Sequence, residues 1–238
     1  MADQIVLAGR SLAKGFGTGA RRTEVLGGLD VWVAAGSLTL IKGPSGCGKS
    51  TLLAMLAGLT RPDGGRVLLG DIDLWALPQR QRDHLRLHQM GFIFQGSVLF
   101  PALPVREQVA FLLAEMGIAR AEGLARADDA LAAVGLANRA HLRPASLSGG
   151  EKQRVAIAIA LAKAPKLVFA DEPTSALDSE NAATVGQLLR DQAVQRGTAV
   201  LCVTHDDRLL RHADRVLFMR AGLIEDERII KEVMPCPS

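Results

Sequence analysis

One octapeptide constrains the fold of this chain more than any other segment. Residues 43–50 read Gly-Pro-Ser-Gly-Cys-Gly-Lys-Ser, which matches G-x-x-x-x-G-K-[ST] at every fixed position. An apolar run, 38–41, precedes the octapeptide and a helical pattern, 49–59, follows it. In this context glycines let successive backbone N–H groups surround phosphate oxygens, and the helix N-terminus adds positive charge. The segment therefore predicts a phosphate site in an α/β fold rather than a chance glycine-rich turn.

Individual residues of this loop have separate expected tasks. Lys49 brings a full positive charge to the phosphates, and the Ser50 hydroxyl is suited to ligate Mg²⁺. We interpret Cys47 first as a small residue that fills space in the loop. A redox-sensitive thiol is the second, less favoured interpretation. The predicted nucleotide-binding residues of this segment are Gly43, Pro44, Ser45, Gly46, Cys47, Gly48, Lys49, Ser50 and Thr51.

Two carboxylates follow another apolar run. Asp171 and Glu172 come directly after residues 167–170. Acidic groups at the carboxyl end of a buried strand lie where an α/β nucleotide site needs them. We expect Asp171 to bind Mg²⁺ through water, and Glu172 to orient and deprotonate the attacking water. The alternative is a solvated acidic turn before Pro173, and the presence of the loop 43–50 in the same chain makes this alternative less favoured.

The composition is that of an ordinary globular chain. Its 238 residues are 48% hydrophobic and 22% charged, which argues against a disordered or fibrous protein. The net charge of +3 is too small to indicate nucleic-acid binding, and the absence of Tyr excludes tyrosine-based chemistry. The 3 cysteines are widely spaced without a C-x-x-C pair, which is typical of a reducing compartment.

Neither a signal peptide nor a membrane span is expected. Residues 1–4 do not begin a basic region followed by a long apolar stretch. The longest apolar stretches, such as 155–162, are about eight residues, whereas about 18 are needed to cross a bilayer. If the protein works at a membrane, another chain must supply the span.

Short apolar runs alternate with helical patterns along most of the chain, which predicts an α/β fold. From about 97 to 146 only helical spacing is found, which predicts a helical insert. Residues 226–238 are expected to form a frayed tail. Strands are predicted at 5–7, 31–33, 38–41, 66–69, 91–94, 167–170, 199–203 and 216–219, the first two in an edge sheet, and helices at 49–59, 78–89, 151–163 and 180–195.

A second anion-binding pattern opens the helix predicted at 151–163. Ser148 can cap this helix, and Gly149 and Gly150 expose N–H groups at its positive end. The chain has one loop of the 43–50 type, so two chains could each lend half of a composite site. A plain N-cap with a glycine-rich turn explains the same residues equally well.

Residues 147–153 resemble the signature motif of ATP-binding cassette (ABC) ATPases. The rest of that family's pattern follows in order: Gln95 is similar to the Q-loop residue, 175–178 to the D-loop and His205 to the H-loop residue. The resemblance covers about residues 4–225. It implies one ABC ATPase domain over 1–238, with a P-loop NTPase core of mainly parallel sheet, an antiparallel β subdomain and a helical insert.

The resemblance also implies a role for each matching residue. The catalytic set would be Glu172, His205, Gln95 and Lys49, and the residues at Mg²⁺ would be Ser50, Gln95 and Asp171. Ser148, Gly149 and Gly150 would close over the ATP of a second copy, with Asp178 at the seam between the copies. Phe16 occupies the position where the family often stacks a tyrosine on adenine, and a loop or core phenylalanine is the alternative. Ile159 stands where many relatives carry an arginine.

The partners implied are a second copy and an integral-membrane permease, with no nucleic acid, at the inner face of the cell membrane. The apolar segment 96–104 suits docking of a permease helix, and burial inside the insert is its alternative. Segments 91–95 and 204–215 resemble the lipoprotein-release and macrolide-export branch. Two alternatives remain: a transmembrane switch for cell-envelope enzymes and an importer ATPase. A non-transport ABC protein is the least expected.

Overall fold

Residues 4–96 and 98–230 are described by a computed structural model of the chain. The strands are β1 (Ile5–Phe16), β2 (Thr23–Ala34), β3 (Leu38–Lys42), β4 (Gly64–Leu69), β5 (Ile72–Asp73), β6 (Met90–Ile93), β7 (Leu167–Asp171), β8 (Ala199–Val203), β9 (Arg215–Arg220) and β10 (Leu223–Ile229). The α-helices are α1 (Lys49–Leu56), α2 (Gln79–Gln89), α3 (Val105–Glu115), α4 (Arg120–Ala133), α5 (Gly149–Ala162) and α6 (Ser179–Arg196).

The larger sheet has the strand order β10-β9-β3-β8-β7-β6. All its pairings are parallel except that of β10 with β9. Every residue of β8 is buried, as expected of a parallel strand covered on both faces. Because β3, β6, β7 and β8 run the same way, their carboxyl ends meet at one edge of the sheet. The segments that follow them, which begin at residues 43, 94, 172 and 204, therefore lie together.

The smaller sheet is antiparallel, with the order β2-β1-β4-β5. The predicted strands 5–7 and 31–33 are parts of β1 and β2, which both extend over 12 residues. Register shifts interrupt their pairing near Gly9, Leu12 and Lys14, so the apolar alternation is lost before the strands end. Leu7, Leu12 and Leu26 of this sheet belong to the same buried cluster as Leu52 and Leu56 of α1. The predicted antiparallel subdomain is confirmed.

The predicted helical insert consists of α3 and α4, followed by short 3-10 turns at 137–139 and 144–146. Val105 and Val109 of α3, with Leu131 of α4, join the core cluster that contains Val155 of α5. Ser97, the predicted first residue of the insert, lies outside the described residues. Both helices of the insert pack against α5.

The chain continues as a strand further than the sequence indicates. Residues 226–229, predicted as the start of a tail, belong to β10, which pairs with β9. Most of the β10 side chains are exposed, so its run Glu-Asp-Glu-Arg carries no apolar alternation. Residues 231–238, including Cys236, lie outside the described residues. Within the described ranges, no helix combines the length and apolar character needed to cross a membrane.

Candidate active site

The loop 43–50 joins β3 to α1 in a conformation that requires glycine. Gly43 has a φ of 155°, and a Cβ on it would lie 2.1 Å from the carbonyl oxygen of Met219. Gly48 has a φ of 101°, and its Cβ would lie 2.8 Å from the Leu26 side chain. Neither position can accept another residue without movement of its neighbours. These contacts explain why the loop curls tightly at the N-terminus of α1.

Lys49 stabilises the curled loop from inside. Its Nζ donates hydrogen bonds to the carbonyl oxygens of Gly43 and Pro44, both at 2.8 Å, and the residue is 7% exposed. Its third contact is with the Cys47 Sγ at 3.9 Å, and because a thiol is a weak acceptor an anion can replace it. The same cation that shapes the loop can therefore contact a phosphate group.

A cavity of about 610 Å³ opens at the carboxyl edge of the large sheet. It brings together eight of the predicted site residues: Ser45, Gly46, Lys49, Ser50, Gln95, Asp171, Glu172 and His205. Ser175 and Leu177 of the segment 175–178 also line it. Four other lining residues were not assigned from the sequence: Thr174, Val203, Asp206 and Arg208. Their only signal in the sequence is their position just after, or at the end of, strands that lead to the same sheet edge.

Glu172 is held in a strained backbone conformation beside the cavity. Its φ of 50° is unusual for a residue other than glycine, and its N–H donates to the Val203 carbonyl at 2.9 Å. Its carboxylate oxygen Oε2 accepts from the Thr204 hydroxyl at 3.4 Å and from the His205 N–H at 3.3 Å. The other oxygen, Oε1, lies 3.6 Å from Nε2 of His205. A carboxylate fixed in this way can accept a proton from a water in the cavity.

Asp206 and Arg208 form a second charged pair in the cavity wall. The Arg208 Nε donates to Asp206 Oδ1 at 2.8 Å, and the Thr174 hydroxyl donates to Asp206 Oδ2 at 2.8 Å. Burial raises the pKa of Asp206, but the hydrogen bonds from Arg208 and Thr174 outweigh it, and the pKa lies below its usual value. Asp206 therefore stays ionised and fixes the backbone next to His205.

The donor atoms at the cavity suit Mg²⁺. Ser50, Gln95 and Asp171 line it together and can offer a hydroxyl, an amide and a carboxylate oxygen. Magnesium prefers oxygen ligands and is usually bound by one or two carboxylates together with substrate phosphates. In the described ranges no group of three or more His, Cys, Asp or Glu residues could hold a metal ion by itself. This donor set fits an ion that arrives with a phosphorylated ligand.

The segment 148–150 lies outside this cavity of its own chain. Ser148 caps α5: its Oγ accepts from the Glu151 N–H at 3.2 Å, and its own N–H donates to Glu151 Oε2 at 2.8 Å. That second bond is the main reason why the pKa of Glu151 lies below its usual value. A Cβ on Gly150 would lie 3.3 Å from the Ala176 carbonyl oxygen, whereas Gly149 has open space.

Asp178 and Phe16 also lie away from the cavity lining. Asp178 caps α6, with its Oδ1 accepting from the Asn181 N–H at 2.8 Å. Phe16 ends β1 with about half of its surface exposed, and the Lys14 ammonium lies 5.5 Å from its ring centroid. The remaining predicted binding residues that do not line the cavity are Gly43, Pro44, Cys47, Gly48 and Thr51.

Two other sequence features have a definite place. Cys47 and Cys202 are free and buried, and burial raises the pKa of the Cys202 thiol well above its usual value. Ile159 is partly buried and lines a separate apolar groove of about 310 Å³ with Phe92, Phe94 and Leu112, so its side chain faces this groove rather than the cavity.

The fold and this cavity define a nucleotide-binding domain of the ABC type. The profile of the ABC transporter family matches residues 26–175. The chain belongs to the ABC transporter family: it is an ATP-binding transporter subunit and an ATPase.

Similar proteins support the assignment over almost the whole chain. A Staphylococcus aureus (strain MRSA252) protein that is named for hemin import, the ATP-binding protein HrtA, is 40% identical over 222 residues, covering 93% of this chain and 100% of that protein. HrtA of Staphylococcus haemolyticus is 42% identical over 216 residues, covering 91% and 97%. The dimeric structure of the ATP-binding cassette MJ0796 with ADP and Pi has a TM-score of 0.90 and 32% identity, covering 95% and 99%. The structure of cbiO1 from Clostridium perfringens, part of the transporter complex cbiONQ, has a TM-score of 0.83 and 29% identity, covering 94% and 88%.

Proposed function

We propose that two copies of this chain enclose ATP at composite sites and that hydrolysis drives a membrane permease. In each site one copy supplies the loop 43–50, Gln95, Asp171, Glu172 and His205. The other copy supplies Ser148, Gly149 and Gly150, with Asp178 at the seam. One observation carries the proposal: the α5 N-terminus has open space at Gly149 and is absent from the lining of its own chain's cavity. Its exposed N–H groups suit an anion held by a second copy.

In this proposal different cavity residues bind the phosphates, hold Mg²⁺ and activate the attacking water. Lys49 and the N–H groups of the loop hold the phosphates, and Ser50, Gln95 and Asp171 hold Mg²⁺, which neutralises phosphate charge when bound. Glu172 orients the attacking water and takes its proton, and His205 contacts the terminal phosphate. Phe16 stacks on adenine at the rim.

ATP closes the two copies and hydrolysis releases them, which shifts a population between two states. A permease can use this motion if it is docked on the moving parts. The apolar groove beside Ile159, which the exposed Phe94 and Val98 also line, suits a permease helix. This would place the chain at the inner face of the cell membrane.

The change Glu172→Gln tests the proposed chemistry. The amide keeps the shape of the side chain but cannot accept the proton, so ATP should bind normally while turnover falls by roughly 100-fold or more. The variant should accumulate as an ATP-bound dimer in size-exclusion chromatography, and the wild type should not. The control is Glu180→Gln, an exposed glutamate in the first turn of α6. Turnover by Glu172→Gln near the wild-type rate would remove Glu172 as the base.

Two directions of transport each have support. Resemblance of segments 91–95 and 204–215 to the lipoprotein-release and macrolide-export branch favours efflux. The relatives named for hemin import favour an importer with a hemin-like cargo. We propose efflux as the direction and treat import as the second candidate.

Inside-out vesicles from the native host separate the two directions. They are stripped of the chain and reloaded with wild type or with Glu172→Gln as the ATPase-deficient control. An exporter should move added hemin into the lumen when ATP is supplied, whereas an importer should release hemin loaded beforehand. The wild type moving hemin in neither direction would contradict a hemin-like cargo, and would be consistent with efflux of another compound or with the switch for cell-envelope enzymes.

A further inference from the structure

Thr204 is a buried hydroxyl that touches the proposed base and that no part of the mechanism above uses. It follows β8 and has 0% exposure. Its Oγ1 lies 3.4 Å from Oε2 of Glu172 and 3.0 Å from the backbone nitrogen of Asp206. β7 and β8 are adjacent parallel strands, and this adjacency places the two side chains at the same sheet edge.

The direction of these two hydrogen bonds is determined by their donors. The Asp206 N–H can only donate, so the Thr204 oxygen must accept from it. The Thr204 hydroxyl has one proton, and its acceptor within the described part of the chain is the Glu172 carboxylate. A hydroxyl that accepts one bond and donates another is polarised toward its acceptor.

The backbone nitrogen that sets this direction is itself fixed. Asp206 is held by the Thr174 hydroxyl at 2.8 Å and by the Arg208 backbone N–H at 2.9 Å. Thr174 is also buried. The chain of contacts therefore runs from Arg208 and Thr174 through Asp206 and Thr204 to the carboxylate of Glu172.

As a result the two oxygens of Glu172 are not equivalent. Oε2 accepts from the Thr204 hydroxyl and from the His205 N–H, whereas the polar neighbour of Oε1 among the described residues is Nε2 of His205 at 3.6 Å. We infer that Thr204 is a positioning residue. Its hydrogen bond holds Oε2 in place, so that Oε1 is the oxygen that takes the proton of the attacking water. This inference rests on the proposed role of Glu172 as the base.

The test compares Thr204→Val with Thr204→Ser in steady-state ATP hydrolysis. Valine keeps the shape but removes the hydroxyl, so kcat should fall roughly tenfold. This is less than the roughly 10²–10⁴-fold that a proton-transfer group itself contributes, because Thr204 only orients that group. The KM for ATP and the nucleotide affinity should stay at the wild-type value. Serine restores the hydroxyl and should recover most of the loss. If Thr204→Val melts well below wild type, Thr204→Ala replaces it in the comparison with Thr204→Ser.

Thr174→Val is the matched control. It removes a buried threonine hydroxyl from the same network, but that hydroxyl bonds to Asp206 and not to Glu172. We expect a comparable loss of thermal stability with a smaller loss of kcat. Equal losses of kcat in the two variants, or a wild-type kcat in Thr204→Val, would overturn the inference.

A double-mutant cycle with Glu172→Gln separates this inference from the proposed function. If Thr204 acts through Glu172, adding Thr204→Val to Glu172→Gln should not lower the residual single-turnover rate further. A further decrease would show that Thr204 acts elsewhere and would overturn the inference alone. High turnover by Glu172→Gln itself would instead show that the proposed base is wrong.

Discussion

Lys163 is a buried ammonium group held by main-chain carbonyls alone. It is 7% exposed, and its Nζ donates to the carbonyl oxygens of Met90 at 2.6 Å and Arg86 at 3.1 Å. Among the described residues no carboxylate forms a salt bridge with it. Burial therefore lowers the pKa of Lys163 from 10.5 to about 8.

This shift predicts a specific pH dependence of stability. Between about pH 8 and 10.5 the unfolded chain keeps a proton on Lys163 that the folded chain has lost, so the free energy of unfolding rises with pH in this window. We expect wild type to gain on the order of 1–3 kcal/mol over Lys163→Met between pH 7.5 and 10.5. Urea denaturation of both proteins at the two pH values measures this difference in the free energy of unfolding. The exposed Lys166→Met is the control, and parallel pH profiles for wild type and Lys163→Met would contradict the prediction.

Single residues differ in how far the sequence reveals them. Lys49 and Glu172 could be placed at one site because the loop and the strand that lead to them are recognisable in the sequence. His205 was placed there by the resemblance to ABC ATPases, and the cavity brings the three together. Thr204 could not be placed, because its contact with Glu172 depends on which strands are neighbours in the sheet. Asp171 lies opposite Val203 in the β7–β8 register, and no sequence pattern specifies that pairing.

At the scale of a single helix, the testable prediction concerns the N-terminus of α5. Ser148→Tyr should block ATP-induced dimerisation while the monomer still binds nucleotide, because a bulky side chain at the helix end would clash with the second copy. Size-exclusion chromatography with ATP measures dimerisation, and a nucleotide titration measures binding.

Ser148→Ala is the control for this change. It also loses the cap of α5, at a cost of roughly 0.5–2 kcal/mol, but it adds no bulk. Both variants lose the hydrogen bond to the Glu151 N–H, so only the steric effect distinguishes them. ATP-induced dimers of Ser148→Tyr at wild-type levels would contradict the placement of this helix end at the second copy's ATP.

Elements with strong apolar patterns were predicted well, and those without them were not. β7 and β8 are buried, and their predicted bounds agree with the structure within one residue. β10 was missed because an edge strand can be held by backbone pairing while its side chains face solvent. The length of β1 was underestimated because bulges shift its register and move side chains between faces.

At the scale of the whole molecule, the loop 43–50 and the alternation of strands and helices predicted the class of fold, which the structure confirms. The assembly could not be predicted in the same way, because only one half of the proposed site lines the cavity of a given chain. Lys49 lines the cavity and Ser148 does not. A single copy would then hold ATP without the groups that close over it, and hydrolysis would depend on how often two copies meet.

This dependence predicts that ATPase activity per chain falls on dilution. When monomers predominate, the dimer concentration follows the square of the chain concentration, so the total rate should rise roughly as that square and become linear once dimers predominate. Hydrolysis is measured over several decades of protein concentration at saturating ATP and Mg²⁺. Nucleotide binding at the same dilutions is the control, since a folded monomer with Lys49 in its loop should still bind ATP. A constant rate per chain down to concentrations at which light scattering finds only monomers would show that one copy holds a complete site.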